Sequence, residues 1–279
     1  MTLVTRFAPS PTGYLHRGHA YSALTAFEAA RAAGGRFMLR IEDIDATRCR
    51  PEYEAAILED LAWLGLRWDM AVRRQSEHLA DYEAAIATLR DRDLVYRCFK
   101  TRKEIDIGRA PHEPAVAYVG APLGAGEEAE RLARGEPFAW RLSLAAAREA
   151  LGGFDRLAFM EDGVDGAPPK TVQALPETAG DIVLARKDVG VAYHLAVVHD
   201  DALQGVTHVI RGDDLFEATH IQRLLQALLG LPTPIYRHHG LLTGPDGKRY
   251  AKRDKAQTLQ ELRATGMTAS ALRAELGFA

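Results

Sequence analysis

Two imidazoles three residues apart, His16 and His19, follow a loop that carries Pro9, Pro11 and Gly13. Upstream lies a short apolar piece, 3–8, with Arg6 in it. Downstream runs AYSALTAFEAARAAG, rich in Ala and Leu, with Ala20, Leu24 and Phe27 near helical spacing and a stop at Gly34 and Gly35. The pattern predicts a strand, a tight loop and a helix start. A helix start presents unpaired N–H groups and a partial positive charge, which suits a phosphate. His16 and His19 lie on one face of that first turn, and both can donate hydrogen bonds to phosphate oxygens. The same pair could equally hold a metal or be ordinary surface residues.

Other charged residues stand where strands should end. The apolar run 36–41 predicts a buried strand that closes in Glu42, Asp43, Ile44 and Asp45. In a parallel α/β sheet, ligands sit beyond the carboxyl ends of the strands, so Glu42 is placed to meet an ammonium group. A solvated acidic loop is the plainer alternative. Residues 206–210 repeat the arrangement, ending in Arg211, Gly212, Asp213 and Asp214. Near the C-terminus, a Gly-Pro-Asp-Gly turn precedes Lys248, Arg249, Lys252, Arg253 and Lys255. From Arg237 onward there are eight Lys or Arg against four Asp or Glu, so this tail is locally basic. Its chemistry suits phosphate, although a nonspecific basic loop has the same composition.

The elements that must position these residues follow from patterning. Residues 50–64 predict an amphipathic helix with Ile57, Leu58, Leu61 and Leu64 inward and Gly65 as its stop. The stretch 63–69, WLGLRWD, is expected in the core, and a further helix over 76–92 is expected to be capped by Ser76. From about Cys98 to Gly180 the chain turns rich in Pro and Gly, which marks a loop-rich insertion. Arg97, Lys100, Arg102, Lys103 and Arg109 cluster near its start and could contact a phosphate backbone or simply be solvated. Residues 193–199 predict a strand closed by Asp200 and Asp201. Thr219 is expected to cap the next helix, with Ile221, Leu224, Leu225 and Leu228 inward and Gly230 at its end. The α/β pattern is therefore split by the insertion.

Composition sets the outer limits. The chain has 279 residues, 47% hydrophobic and 26% charged, with a net charge of −3. That is enough chain for one large domain or two modest ones. The charge argues against a generally nucleic-acid-coated protein but leaves room for a local basic face. No run of about eighteen apolar residues exists, so no membrane association is expected. No secretory signal is visible, and the two cysteines, Cys49 and Cys98, suit a reducing cytoplasm rather than a disulfide scaffold.

Taken whole, RFAPSPTGYLHRGH resembles the first signature of class I aminoacyl-tRNA synthetases, His, a small apolar residue, Gly, His, with Arg17 in the second place. The preceding RFAPSPTG is similar to the glutamyl branch, as is WLGLRWD. The basic tail resembles the second class I signature, Lys-Met-Ser-Lys-Ser, in degraded form: Arg249 stands for the first Lys, Tyr250 and Ala251 fill the middle, and Lys252 keeps the second. The resemblance covers nearly the whole chain. Because full glutamyl-tRNA synthetases carry a large anticodon-binding portion after this signature, the chain looks most like the short glutamyl-Q tRNA(Asp) synthetases.

That resemblance implies an α/β fold: a class I, Rossmann-type doubly wound parallel sheet over 1–96 and 181–236, split by an inserted acceptor-type subdomain at 97–180. A small, mainly helical region at 237–279 follows. It implies ATP-dependent activation of L-glutamate, with Mg²⁺ accompanying ATP, and transfer to queuosine in the anticodon loop of tRNA(Asp). Arg6, Phe7, Ala8, Pro9, Ser10, Glu42, Tyr193 and Arg211 are the implied glutamate site. His16, Gly18, His19 and Lys252 are the implied ATP contacts, with His16, His19 and Lys252 catalytic. A cytoplasmic monomer is expected. Two arginines and one acid satisfy the two carboxylates and one ammonium of glutamate, so the chemistry agrees with the set. Other adenylyl-transferring enzymes of the superfamily share the His-x-Gly-His logic but need neither RFAPSPTG nor Glu42 with Arg211. A truncated glutamyl-tRNA synthetase, or an inactive RNA-binding paralogue, would also fit the worn second signature.

The resemblance departs at one place. The family's zinc site uses Cys-x-Cys, a Tyr and a last Cys, whereas here Cys98 is followed by Lys100 and no Cys follows Tyr118. Structural zinc takes four soft or imidazole ligands, and one Cys with His112 is too few. Metal analysis of the purified protein should therefore find no stoichiometric zinc, and a chelator should leave its circular dichroism unchanged. One tightly held zinc per chain would disprove this.

Overall fold

The computed structural model describes residues 2–105, 117–163, 167–186, 190–242 and 257–278. In chain order these form β1 (Val4–Phe7), α1 (Arg17–Ala32), β2 (Arg36–Ile41), α2 (Pro51–Trp63), β3 (Arg73–Arg74) and α3 (Leu79–Arg90). Next come β4 (Val95–Cys98), α4 (Arg102–Ile105), α5 (Ala125–Ala133), β5 (Ala139–Leu142), α6 (Leu144–Leu151), β6 (Ala158–Glu161), β7 (Lys170–Gln173) and β8 (Ile182–Arg186). The remainder is α7 (Tyr193–Leu203), β9 (His208–Gly212), α8 (Phe216–Leu229), β10 (Ile235–His239), α9 (Leu259–Ala264) and α10 (Ala269–Glu275).

Strands β1, β2 and β3 pair in parallel, as do β9, β10 and β6, with β7 antiparallel at the edge. Strand β1 lies alongside β9: the Thr207 amide donates to the Val4 carbonyl at 3.0 Å, and the Val4 amide to Thr207 Oγ1 at 2.8 Å. The order is thus β3-β2-β1-β9-β10-β6-β7, with the direction of winding reversing between β1 and β9, where a doubly wound sheet binds its ligands. Consecutive residues of β9 feed opposite cores. Val209 packs with α3, α7 and α8, while Ile210 packs with α1, α2, α9 and α10. Each fully buried Leu of these cores contributes roughly 1.5–3 kcal/mol.

A second, antiparallel sheet, β4-β5-β8, takes only β5 wholly from residues 97–180, since β4 straddles the start of that stretch and β8 lies beyond its end. Its organiser is the buried Asp181, which accepts from Tyr96 Oη at 2.7 Å, Gly120 N at 2.8 Å and Leu144 N at 2.9 Å. Gly180 before it has φ of +67°, and a Cβ there would meet the Tyr118 carbonyl oxygen at 2.5 Å, so only glycine fits. Residues 97–180 also supply β6 and β7 to the larger sheet.

Three local expectations are corrected. Residues 193–199 are not a strand but the start of α7. That helix buries Leu195, Ala196, Val197, Val198, Asp200 and Asp201, so its apolar run is unbroken and shows no 3.6-residue period. Ser76 caps nothing: it sits in a short 3₁₀ turn, Gln75–His78, with its amide and hydroxyl donating to Asp43, and α3 begins at Leu79. Thr219 is no cap either, because α8 begins at Phe216 and Thr219 lies buried in its first turn. The glycine stops expected for α1 and α2 hold: Gly34 and Gly65 follow the C-caps Ala33 and Leu64 directly, each with a positive φ. Among the described residues no helix is long and apolar enough to cross a membrane.

Beneath the sheet's switch point lies a buried ionic cluster. Asp200 accepts from Arg73 Nε at 2.9 Å, Gln75 Nε2 at 2.9 Å and Tyr82 Oη at 2.8 Å. Asp201 accepts from Arg40 at 2.8 Å and Arg6 Nε at 3.1 Å. Burial alone would raise the Asp200 carboxyl, but His199, Arg40, Gln75 and Tyr82 outweigh it and bring it down to about 2. A carboxyl depressed on folding adds stability above its unfolded value near ~3.9 and loses it as the pH falls toward the folded one. Urea-unfolding free energy should therefore drop steeply between about pH 4 and pH 2. A flat profile over that window would contradict the assignment.

Candidate active site

A cleft of about 580 Å³ opens at the carboxyl ends of β1, β2, β9 and β10. Arg6, Phe7, Ala8 and Ser10 line it from β1 and the loop that follows, and His16, Gly18 and His19 from the start of α1. Glu42, Tyr193 and Arg211 line it from β2, α7 and β9. Pro9 is not part of the lining; its carbonyl accepts from the Glu42 amide at 3.0 Å and so sets the height of that carboxylate. An adjoining hollow of about 330 Å³ shares Ser10, Glu42 and Tyr193, and adds Asp45, Arg48 and Arg186.

His16 is the N-cap of α1 and His19 its third residue, and the two close a reciprocal capping box. His16 Nδ1 accepts from Gly18 N at 3.1 Å, and His19 Nδ1 accepts from His16 N at 3.2 Å. The rings lie 3.8 Å apart, tilted by 39°. The expectation that the first-turn amides stand unpaired is corrected, because the His16 side chain takes the amide protons of Gly18 and of His19. What the turn offers instead follows from tautomerism. A neutral imidazole whose Nδ1 is an acceptor carries its proton on Nε2. Both rings, when neutral, therefore carry their proton on Nε2, and the helix cap holds them in that tautomer.

The charged groups of the cleft differ in how they are held. Arg6 is committed to Asp201 through Nε at 3.1 Å and Nη2 at 3.4 Å. Glu42 accepts from the fully buried Arg40 at 3.3 Å, yet burial pushes its carboxyl above the usual range despite Arg40 and Arg6. Arg211 has no carboxylate partner among the described residues. Its Nη2 donates to Thr219 Oγ1 at 2.7 Å and to the Leu215 carbonyl at 3.2 Å, its Nε to His238 Nε2 at 3.2 Å, and its Nη1 to Tyr193 Oη at 3.5 Å. All of these acceptors are neutral, so a buried positive charge faces the cleft, which is the setting for an anionic ligand.

Sequence reasoning missed several contributors. Thr219 and His238 hold Arg211, while His239, bonded to Ser22 at 3.0 Å, and Tyr21 extend the wall. Arg40 and Asp201 support Arg6 and Glu42. A charged residue inside the apolar run 36–41, and paired acids inside another, were the available signals. Lys252 lies outside the described residues. The chain just beyond it returns to the first signature, where Thr258 bridges His16 and Leu259 N donates to the Leu15 carbonyl at 2.8 Å.

The donor set around Cys98 does not suit zinc. Its sulfur lies 3.8 Å from Tyr118 Oη, and the Tyr118 ring is covered by two cations, Arg141 at 4.5 Å and Lys100 at 5.8 Å. His112 lies outside the described residues. Among those described, no three His, Cys, Asp or Glu converge to hold a metal.

Comparison with known proteins matches residues 2–277 to the model of the class I tRNA synthetase (E and Q) catalytic domain. A Rhodobacter capsulatus protein named glutamyl-Q tRNA(Asp) synthetase is 47% identical across 99% of this chain and 100% of its own. One of the same name from Nocardia farcinica is 45% identical over 94% of this chain and 79% of its own. The crystal structure of glutamate-tRNA synthetase from Elizabethkingia anophelis superposes with a TM-score of 0.76 at 31% identity, covering 91% of this chain. The chain spans 53% of that larger protein.

Proposed function

Since the chain belongs to the class I tRNA synthetases of the glutamyl and glutaminyl branch, a family of ligases, we propose that it activates L-glutamate with ATP and transfers the glutamyl group to queuosine in the anticodon loop of tRNA(Asp). The observation that carries the activation step is a single cleft lined by Arg6, Arg211, Glu42, His16 and His19 together. The acceptor assignment rests on likeness to the Rhodobacter capsulatus protein, which this chain matches along its full length.

In this reading Glu42 takes the ammonium of glutamate, and Arg6 and Arg211 take its carboxylates. The attacking carboxylate oxygen forms a bond to the α-phosphorus of ATP, the bridge to the β-phosphate breaks, and pyrophosphate leaves with the electron pair. His16, His19 and, from the second signature, Lys252 stabilise charge on the phosphate oxygens. Magnesium accompanying ATP supplies further charge neutralisation. No protein nucleophile is needed, so catalysis is positioning plus preorganised electrostatics, with each such donor contributing ~10²–10³ in rate. A hydroxyl of the queuosine cyclopentene diol then attacks the glutamyl carbonyl, AMP leaves, and the hydroxyl proton passes to solvent.

Arg211→Ala should raise the KM for glutamate far more than that for ATP in glutamate-dependent ATP–pyrophosphate exchange without tRNA. The loss corresponds to ~2–5 kcal/mol for a desolvated carboxylate pair deprived of its partner. An unchanged glutamate KM with a raised ATP KM would place this residue in the wrong site.

The acceptor is tested with ATP and labelled glutamate on tRNA(Asp) prepared with and without queuosine. Label should enter only the queuosine-containing tRNA and should persist after removal of the terminal adenosine. Equal labelling of both tRNAs, or loss of label with that adenosine, would favour ordinary charging of the 3′ end.

A further inference from the structure

Arg211 is held from behind by a hydrogen-bonded line that crosses three neighbouring strands. Arg211 in β9 is in register with His238 in β10, and β10 pairs in turn with β6, which ends at Glu161. Glu161 accepts twice from His238: Oε1 from the backbone amide at 2.8 Å and Oε2 from Nδ1 at 2.8 Å. The other ring nitrogen, Nε2, lies 3.2 Å from Arg211 Nε, and a guanidinium can only donate. All three side chains are buried. Burial alone would lift the Glu161 carboxyl, but its bonds to His238 outweigh this and keep it below the ordinary range, so it stays an acceptor. The tautomer of His238 follows: the proton sits on Nδ1, facing Glu161, and the Nε2 lone pair faces Arg211.

The structure assigns Glu161 and His238 as positioning residues that fix the orientation of the Arg211 guanidinium. This rests on the reading of Arg211 as the ligand-carboxylate contact. With Nε held by His238 and Nη2 by Thr219 and Leu215, the Nη1 edge is turned toward Tyr193 and the cleft. Neither Glu161 nor His238 lines the cleft, so their influence on a substrate passes through Arg211.

Glu161→Gln tests the line with almost no change in shape. The amide oxygen can still accept from the His238 backbone, but its NH₂ now faces Nδ1. That favours the lone pair on Nδ1 and drives the ring proton to Nε2, where it opposes Arg211 Nε–H. The expected result is a glutamate KM raised roughly ten- to hundredfold, the scale of one lost charge-assisted hydrogen bond, with the ATP KM and Tm nearly unchanged. ¹⁵N spectra of the histidine-labelled full chain without substrate should show the Nδ1–H tautomer of His238 in the wild type and the Nε2–H tautomer in the variant. A wild-type Nε2–H tautomer would overturn the line itself, independently of any substrate. An E161Q protein with unchanged glutamate KM, or with glutamate and ATP KM raised alike, would overturn the positioning role. A glutamate KM indifferent to Arg211→Ala would instead sink the substrate reading beneath it.

Discussion

A guanidinium with no access to water dictates much of this molecule. Arg40 lies within β2 with no exposed surface. Such a charge is tolerated only with close partners, since an isolated buried ion costs far more than a domain's net stability. The partners come from separate parts of the chain: Asp201 and Asp200 from α7 and Glu42 from the end of β2. Asp201 also holds Arg6 of β1, and Asp200 holds Arg73 of β3. Three arginines thus face three acids across β1, β2, β3 and α7. The cluster fixes the heights of Arg6 and Glu42 at the cleft floor, so the scaffold's electrostatics and the site's geometry are one arrangement.

Against that compensated cluster, Arg211 stands out by its setting. Its contacts are a threonine hydroxyl, a carbonyl, a tyrosine hydroxyl and an imidazole, and the ring of Tyr236 lies 5.4 Å from its charge. Neighbouring His194 is kept neutral, its pKa brought down to about 4 by burial and by Arg211 itself. Neutral dipoles orient a cation without cancelling it. The cleft therefore carries one arginine, Arg6, that shares its charge with a buried carboxylate and one, Arg211, whose hydrogen-bond partners carry no negative charge, which is an electrostatic asymmetry suited to an anionic ligand.

The opposite wall depends on the C-terminal helices. Leu259, Leu262, Leu272 and Leu276 join the core formed by α1 and α2. Surface pairs such as Arg17 with Glu275 and Arg273 with Glu28 add little energy but fix direction. The bridge from Thr258 to His16 brings the chain beyond Lys252 back to the helix cap that sets both imidazoles. The described chain that follows the second of the two resembling segments thus meets the first one at that cap.

Much of this was legible along the chain. The strand–loop–helix around His16, the polar residues ending β2 and β9, and the glycine stop of α8 all follow from local periodicity and backbone preference, which depend on near neighbours alone. Those signals failed at 193–199, because a helix buried on every side shows the same unbroken apolar run as a buried strand. Nor could they reveal that Asp201 would neutralise Arg6 and Arg40, that Thr219 would serve Arg211 rather than cap a helix, or that Glu161 would reach Arg211 through His238. Those facts depend on distances between segments up to about two hundred residues apart. Sequence determined which groups were available and which local shapes they preferred. Only the closing of the sheet, with its demand that every buried charge find a partner, decided which of them meet.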